Sequence, residues 1–269
     1  MLKQSNAPIW VTGHQGMLGS RVVTALKARG WRVCTNPNRL RDTRDVMSFA
    51  YHYRPAGIIN CAGVIPNKGL PSATDAVRTN AELPHALAQV GVPMVHMSTD
   101  CVYSGQQEGL YVDKAHPDPI DLYGRSKLAG EPIMPNVVVV RGSFIGPEHG
   151  FLRWLLDAKG GVDAWVNAMW SGTTADAMAQ ALAAILTGDL VPPEPVVGTN
   201  VIHVATAEPV PKSYLVNYFI MVLGLELAVA NLLTPVINRA MVPDITLPSL
   251  DMALAAMVAQ ILRNAPVLT

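Results

Sequence analysis

Short apolar runs alternate with stretches of helical periodicity through the first half of the chain. The apolar runs predict strands at Ile9–Thr12, Trp31–Thr35, Gly57–Asn60, Pro93–Ser98 and Val137–Arg141. The intervening segments predict helices at Met17–Arg29, Asp42–Tyr53, Asn80–Val90 and Leu122–Glu131. Such alternation is typical of βαβ units. It predicts an α/β fold with a doubly wound parallel sheet of the Rossmann type, whose ligands bind at the carboxyl ends of the strands.

The pattern becomes less regular after Arg141. Helices are predicted from Phe151 to about Lys159 and at Thr174–Leu186, before a proline-rich connector at Val191–Pro195 and a returning strand at Val201–Val204. Further helices are predicted at Lys212–Leu223, Leu227–Ala240 and Ser249–Arg263. We therefore predict a sheet domain over residues 1–145, joined by a returning strand near 200–205, and a smaller, mostly helical lobe over 146–269 that covers the cleft.

Composition narrows the class of protein. The 269 residues suffice for one large α/β domain with a small appendage, and 50% apolar with only 15% charged residues is typical of a buried parallel sheet. Twenty basic residues balance 20 acidic ones, which argues against nucleic acid as a partner. Three cysteines without metal-ligand spacing indicate reduced thiols, and the seven histidines show no metal pattern.

No membrane association is expected from the sequence. The apolar segment from Tyr214 to Leu233 is interrupted by Asn217, Glu226 and Asn231, so it predicts a buried or dimer-forming helix rather than a membrane span. The first residues run directly into a strand without a secretory apolar region, so a cytoplasmic location is expected.

A glycine-rich turn follows the first predicted strand and precedes an apolar helix. Its pattern is Gly-x-x-Gly-x-x-Gly, and such turns bind a pyrophosphate through backbone amides and the helix N-terminus. Plain turn chemistry is the alternative, but the strand before and the helix after favour a dinucleotide site. The predicted cofactor-binding residues of this turn are Gly13, Gln15, Gly16, Met17, Leu18 and Gly19.

The end of the second strand bears on cofactor choice. A site that prefers NAD usually has a carboxylate there, yet no acid occurs before Asp42. Asn36, Arg39 and Arg41 are the candidates, and the two arginines could bind a 2′-phosphate through charge-assisted hydrogen bonds. NADPH is the expected cofactor, with NADH as the alternative if these arginines are only solvated surface charges.

Tyr123 and Lys127 lie four residues apart in a predicted helix, so both side chains can point into one cleft. A phenol titrates near pKa ~10, and a neighbouring ammonium lowers that pKa. The pair therefore predicts an activated proton donor, as a ketoreductase requires.

Several motifs resemble those of the extended short-chain dehydrogenase/reductase family, and within it the dTDP-4-dehydrorhamnose reductase-like group. The matching segments start at Val11, Ile58, Asn80, His96 and Tyr123, and read VTGHQGMLG, IINCAG, NAEL, HMSTDCVYSG and YGRSKLAGE. The resemblance implies NADPH-dependent reduction of the 4-keto group of a nucleotide-activated deoxysugar. It also implies that residues 1–145 bind the cofactor and 146–269 the substrate.

The same resemblance implies roles for individual residues. Tyr123 would protonate the carbonyl oxygen, Lys127 would hold the nicotinamide ribose and keep the phenol acidic, and Thr99 would hydrogen-bond the developing alkoxide. Asn80 would support the lysine through a relay, although it could be only a helix N-cap. Thr99 could likewise be an ordinary strand-end hydroxyl. Further cofactor contacts are predicted at Asn60, Cys61, Ala62 and Gly63.

The substrate side is predicted from fewer signals. Ser98, Thr99 and Cys101 follow the fourth strand, and Cys101 replaces an aromatic residue present in many relatives. Arg141 could bind a substrate phosphate or form a structural salt bridge, and Trp170 could stack on a base or sugar or pack the lobe. A single acid after Thr99, Asp100, argues against sugar dehydration.

Two other functions remain open from sequence. A C4 epimerase would use the same groups with tightly bound NAD. A non-catalytic regulatory subunit, like the β-subunit of methionine adenosyltransferase, would retain only cofactor binding. A homodimer through the helices predicted at Asn80–Val90 and Leu122–Glu131 is a further expectation.

Overall fold

The computed structural model describes residues 6–36, 38–40, 42–65, 72–193 and 200–264. Strands and helices alternate along the chain up to the fifth strand. In order, these elements are β1 (Ile9–Thr12), α1 (Met17–Ala28), β2 (Val33–Cys34), α2 (Thr43–Tyr53), β3 (Gly57–Asn60), α3 (Ala73–Ala76), a π-helical segment (Val77–Glu82), α4 (Leu83–Ala88), β4 (Met94–Met97), a 3₁₀ turn (Asp100–Val102), α5 (Leu122–Ala129) and β5 (Val137–Arg141).

Shorter strands mix with helices in the second half. These elements are β6 (Phe144–Ile145), α6 (Phe151–Asp157), β7 (Gly161–Trp165), β8 (Ala168–Trp170), β9 (Thr173–Thr174), α7 (Ala175–Thr187), β10 (Val201–Thr206), β11 (Val210–Pro211), α8 (Lys212–Leu223), β12 (Ala228–Leu232), β13 (Ile237–Asn238), β14 (Ile245–Leu247) and α9 (Leu250–Asn264).

The central sheet has seven strands in the order β14-β10-β5-β4-β3-β1-β2, and all six pairings are parallel. This confirms the predicted fold class. Every residue of β1, β3 and β4 is buried, because helices cover both faces of the sheet. β2 and β3 lie on opposite sides of β1, so the strand order changes direction at β1. Open α/β sheets bind their ligands at such a point.

Two apolar clusters hold the helices on the sheet. On one face, α1 and α7 pack together over Val11, Ile59, Val95 and Val140. On the other face, α2 and α4 cover a cluster that includes Trp10. The alternation of side chains along each strand divides them between the two clusters. Helix α7 thus packs on the central sheet although it follows residue 145 in the chain.

The helix predicted at Asn80–Val90 begins earlier than expected. A capping box between Ser72 and Asp75 starts α3, and the chain continues through the π-helical segment into α4. Asn80 lies inside the π-helical segment, so it is not a helix N-cap. Single π-helical turns occur often at functional sites, because the extra residue redirects a side chain.

The helix predicted at Leu227–Ala240 is wrong. The segment forms β12, which pairs in parallel with β7, and β13, which pairs with β8. Pro235 lacks a backbone N–H and prevents a continuous helix, and Gly224 ends α8 with a φ of +64°. The apolar segment from Tyr214 to Leu233 is therefore split, and among the described residues no helix is both long and apolar enough to cross a membrane.

Candidate active site

The glycine-rich turn presses directly against the end of β3. Gly13 has a φ of +65°, and a Cβ there would lie 2.6 Å from the Ala62 nitrogen. A Cβ on Gly19 would lie 2.1 Å from the Gly13 oxygen, so only glycine allows α1 to start so close to the turn. Gly16 precedes α1, and within the described residues no side chain caps this helix, so its first amides can bind an anionic ligand.

A cleft of about 370 Å³ opens beside this turn, where the strand order changes direction. It is lined by six residues that the sequence predicted, namely Gly13, Gln15, Gly16, Asn36, Arg39 and Ala62. It is also lined by residues that the sequence analysis missed, including Thr12, His14, Asn38, Leu40, Val64, Thr79 and Leu83. Thr12 and His14 adjoin the motif and could have been found. Val64, Thr79 and Leu83 lie outside the glycine turn and enter the cleft only through the packing of the π-helical segment.

The remaining predicted cofactor residues contribute differently. The Leu18 side chain is buried in the apolar cluster under α1, so it can offer a ligand only its backbone. The Met17 side chain approaches Gly146, where a Cβ would meet its sulfur. Cys61 and Gly63 flank Ala62 at the end of β3. Arg41 lies outside the described residues.

Arg39 is at the rim of the cleft and has a carboxylate partner. Its Nη2 lies 2.8 Å from Oδ1 of Asp75 and donates to Oγ1 of Thr79 at 3.2 Å. The side chain is 64% exposed, so water screens this ion pair. The arginine is therefore available to exchange its partner for an anionic group in the cleft.

Asn60 organises the strand ends below the cleft. Its Oδ1 accepts hydrogen bonds from Thr12 Oγ1 at 2.6 Å and from the Ala62 amide at 3.1 Å. Its Nδ2 lies 2.9 Å from Nδ1 of His96, and burial holds the pKa of this histidine well below its usual value. Asn60 thus fixes the backbone that a ligand would touch, which is a structural contribution to the predicted site.

Tyr123 and Thr99 come together at the carboxyl edge of the sheet. Asp121 caps α5 by accepting a bond from the Gly124 amide at 2.7 Å, and a Cβ on Gly124 would lie 2.1 Å from the Cys101 oxygen. The first turn of α5 therefore lies directly on the segment after β4. Burial raises the pKa of Tyr123, the nearby Cys101 raises it further, and a hydrogen bond with Thr99 lowers it.

Lys127 points to the end of β4. Its Nζ donates to the Met97 oxygen at 2.6 Å, and burial lowers its pKa to about 8 against the opposing effect of Glu131. The expectation that Lys127 lowers the pKa of Tyr123 is wrong for this structure. The ammonium is bound to a strand carbonyl, and desolvation of the phenol is the largest influence on its pKa.

The buried Lys127 makes stability depend on pH. Its pKa is about 8 in the folded chain against an ordinary value of 10.5, so the unfolded chain binds more protons between these two pH values. The free energy of unfolding should therefore gain a contribution as the pH rises above about 8, and Lys127→Met should lose it. Urea unfolding of both proteins from pH ~7 to pH ~9 measures the difference, and equal slopes would contradict a depressed pKa.

Asn80 joins α5 to the loop after β3. Its Oδ1 accepts from the Val64 amide at 2.8 Å, and its Nδ2 donates to Ser126 Oγ at 3.0 Å and to the Val64 oxygen at 2.8 Å. Asn80 thus fixes the position of Ser126, the residue directly before Lys127. The predicted relay through Asn80 to the lysine stays a prediction.

Three residues predicted to contact the substrate instead form hydrogen bonds with other side chains of the protein. Arg141 is 5% exposed and forms a two-pronged ion pair with Glu131, at 3.0 and 2.7 Å, so the structural salt bridge is the correct alternative. The Ser98 hydroxyl donates to the same carboxylate at 2.5 Å. Trp170 is 4% exposed, packs in the core of the lobe and donates its indole N–H to Ser143, so it does not present a face for stacking.

Cys101 lies beside Thr99 and Tyr123. Burial raises the pKa of its thiol to about 12, which keeps it protonated and makes it a packing residue rather than a nucleophile. Arg239 reaches it from the loop after β13, with Nη1 3.4 Å from the sulfur and Nε donating to the Tyr103 oxygen at 2.9 Å. The sequence analysis missed Arg239, because no local motif marks it. In the described part of the chain, no group of three or more metal-binding side chains is found.

Fold and site together define a Rossmann-type α/β protein with a cleft at its glycine-rich turn and with Thr99, Tyr123 and Lys127 at the carboxyl edge of the sheet. Residues 7–223 match the family model described as the RmlD substrate binding domain, and the chain belongs to this family.

Relatives are similar over part of their length. A probable low-salt glycan biosynthesis reductase from Haloferax volcanii is 33% identical over 163 residues, which are 52% of this chain and 54% of the relative. A dTDP-4-dehydrorhamnose reductase from Streptomyces griseus is 32% identical over 165 residues, or 57% of this chain and 52% of the relative. The chain thus spans about half the length of these curated relatives. Among solved structures, a dTDP-4-dehydrorhamnose reductase from Bacillus anthracis in complex with NADP has a TM-score of 0.81 at 18% identity, with 94% of this chain and 99% of that chain covered.

Proposed function

We propose that the protein reduces the 4-keto group of a nucleotide-activated deoxysugar with NADPH as the donor. The observation that supports this proposal is the placement of Tyr123 beside Thr99 at the carboxyl edge of the sheet, on the same side as the glycine turn. The named reductases among its relatives support the substrate class.

NADPH would supply the hydride, and the residues of the chain would supply binding and the proton. The free amides at the start of α1 and the close turn at Gly13 suit a pyrophosphate. The raised pKa keeps the Tyr123 phenol protonated at neutral pH, so it can donate its proton to a carbonyl oxygen. Thr99 would hydrogen-bond the same oxygen in place of its present bond to Asp100, and Lys127 stays charged below its pKa of about 8.

The direct test is the near-ultraviolet absorbance of NADPH during incubation with a dTDP-linked 4-keto-6-deoxysugar. We expect one NADPH consumed for each sugar reduced. Turnover of a nucleotide sugar without net loss of reduced cofactor would instead indicate a C4 epimerase. Cofactor binding without turnover of any such sugar would indicate a regulatory subunit.

Arg39 should carry part of the preference for NADPH. Arg39→Ala removes a cation at the rim of the cleft, and we expect the Kd for NADPH to rise about tenfold while the Kd for NADH changes little, because only NADPH has the 2′-phosphate. Fluorescence titration with each cofactor measures the two constants. Arg44→Ala is the control, since Arg44 is 93% exposed and pairs with Asp42. An equal rise for both cofactors would show that Arg39 does not read the 2′-phosphate.

We also propose that the protein acts in the cytoplasm, where NADPH is held. A homodimer through the helices around Asn80 and Leu122 stays a prediction. Val77 and Leu122 are 43% and 42% exposed on those elements, and sedimentation analysis would report the oligomeric state.

A further inference from the structure

A buried polar network lies directly behind the reacting groups. Glu131 follows the last turn of α5, and its carboxylate accepts from Ser98 in the segment after β4 and from Arg141 at the end of β5. The side chains of Arg141 and Glu131 are only 6% and 7% exposed. Glu131 therefore ties the helix that carries Tyr123 and Lys127 to the residue that precedes Thr99.

The network continues away from the site through aromatic groups. Arg141 Nη1 donates to the Tyr103 hydroxyl at 2.7 Å, and its guanidinium lies 5.3 Å from the centre of the same ring. That hydroxyl is 2.8 Å from Nε2 of His203, whose pKa is lowered to about 4 by burial and by Arg141. The histidine is thus neutral at physiological pH. The ion pair of Glu131 and Arg141 is the charged centre of the network, and each hydrogen bond around it is directional.

We propose that Glu131 is a positioning residue for the reduction, which acts through Ser98 and Arg141 to fix Tyr123 and Lys127 relative to Thr99. The inference rests on the proposed function for its kinetic consequence. A buried ion pair is seldom the best way to stabilise a fold, because apolar residues of similar size often do as well. Its directional bonds do hold two elements in one geometry, and small displacements of reacting groups slow catalysis strongly.

The negative charge of Glu131 should also affect the pKa of Lys127. The titratable groups that act on Lys127 are Glu131 at the end of its own helix, Cys61 after β3 and His96 in β4. Glu131 is the carboxylate among them, and it opposes the effect of burial on the pKa of Lys127. Removal of its charge should therefore favour the neutral lysine.

The kinetic test uses Ser98→Ala, which removes the hydrogen bond from the segment after β4 to Glu131. The ion pair of Glu131 and Arg141 stays intact. We expect kcat to fall on the order of tenfold with an unchanged Kd for NADPH, since Ser98 positions and does not bind the cofactor. Ser104→Ala is the matched control, because the Ser104 hydroxyl is also buried and bonded to a carboxylate, that of Asp118 at 2.6 Å. An unchanged kcat in Ser98→Ala, or an equal fall in the control, would overturn the proposal.

A second measurement does not need the substrate. The chain has seven lysines, so the ¹³Cε signals of lysine-labelled protein can be followed with pH, and Lys127→Met identifies the signal of Lys127. In Glu131→Gln this signal should titrate at lower pH than in the wild type, whereas a merely structural role would leave it in place. If the wild type reduced none of the keto sugars, the proposed function would fail, and this titration would still decide whether Glu131 acts on Lys127. If Glu131→Gln does not fold, the titration is run on Glu131→Gln/Arg141→Met instead. This double variant removes both charges of the ion pair. An unmoved Lys127 signal in it would also count against the inference.

Discussion

Tyr123→Phe is expected to lower kcat for keto-sugar reduction by about a thousandfold, in the range found for the loss of a general acid. The change removes one oxygen from a buried side chain beside Thr99, and it leaves the ring in place. As hydride reaches the carbonyl carbon, water is then the remaining proton donor for the carbonyl oxygen. The measurement is the initial rate of NADPH consumption at saturating sugar, together with the Kd for NADPH, which should change less than about threefold because phenol loss removes at most one neutral hydrogen bond to the cofactor.

Tyr51→Phe is the control for this variant, since Tyr51 is 79% exposed on α2 and away from the cleft. It should reduce the sugar at the wild-type rate. A Tyr123→Phe protein with a rate within a few fold of the wild type would show that another group donates the proton. It would then leave the regulatory role as the better account of the cofactor site.

The raised pKa of Tyr123 changes how the site should be understood. A phenol activated by an adjacent ammonium would be partly ionised near neutral pH and would suit the reverse, oxidative direction. The phenol of this chain is desolvated, and the neighbouring Cys101 and Asp100 raise its pKa further. It therefore keeps its proton at physiological pH, which favours reduction of a carbonyl. Lys127 donates one N–H to the Met97 oxygen, and its ammonium carries two further donors, so this bond does not prevent a contact with a cofactor ribose.

Local sequence was enough to predict the glycine turn and the helix that carries Tyr123 and Lys127. The glycine turn and the pair of Tyr123 and Lys127 depend on residues within seven positions of each other, and helix geometry alone places i and i+4 on one face. The parallel sheet was predictable for a similar reason, because a strand buried on both faces is apolar throughout. The comparisons with known proteins then confirmed the family that these motifs suggested.

Several failures depend on contacts that the neighbouring sequence does not show. Trp170 is held by Ser143, 27 residues away, and nothing near Trp170 in sequence indicates this bond. Arg141 could serve a substrate or a salt bridge until the fold brings Glu131 against it. The segment after α8 has an apolar pattern that suits a helix, but its pairing with β7 makes it a strand. Tertiary contacts override local preference in such segments.

Gly13→Ala should raise the Kd for NADPH by roughly a hundredfold, since displacement of a binding element by about 1 Å has effects of this size. Two separate penalties act at this position. The φ of +65° costs an L-residue about 1–2 kcal/mol, and the new methyl group would lie 2.6 Å from the Ala62 nitrogen, which cannot move without shifting the end of β3. The turn must then move away from β3, and with it the amides at the start of α1. Fluorescence titration with NADPH gives the Kd, and thermal unfolding gives the accompanying loss of stability.

Gly91→Ala separates the two penalties. Gly91 has a φ of +81°, so alanine there suffers the same kind of backbone strain, but a Cβ at this position meets nothing within 4 Å. This variant should lose stability by about 1–2 kcal/mol and keep the wild-type Kd for NADPH, because only strain is added. If both variants weakened cofactor binding equally, loss of stability alone would explain the effect. If Gly13→Ala bound NADPH as tightly as the wild type, the close approach of the turn to β3 would not be needed for the dinucleotide, and the cleft would have to serve another ligand.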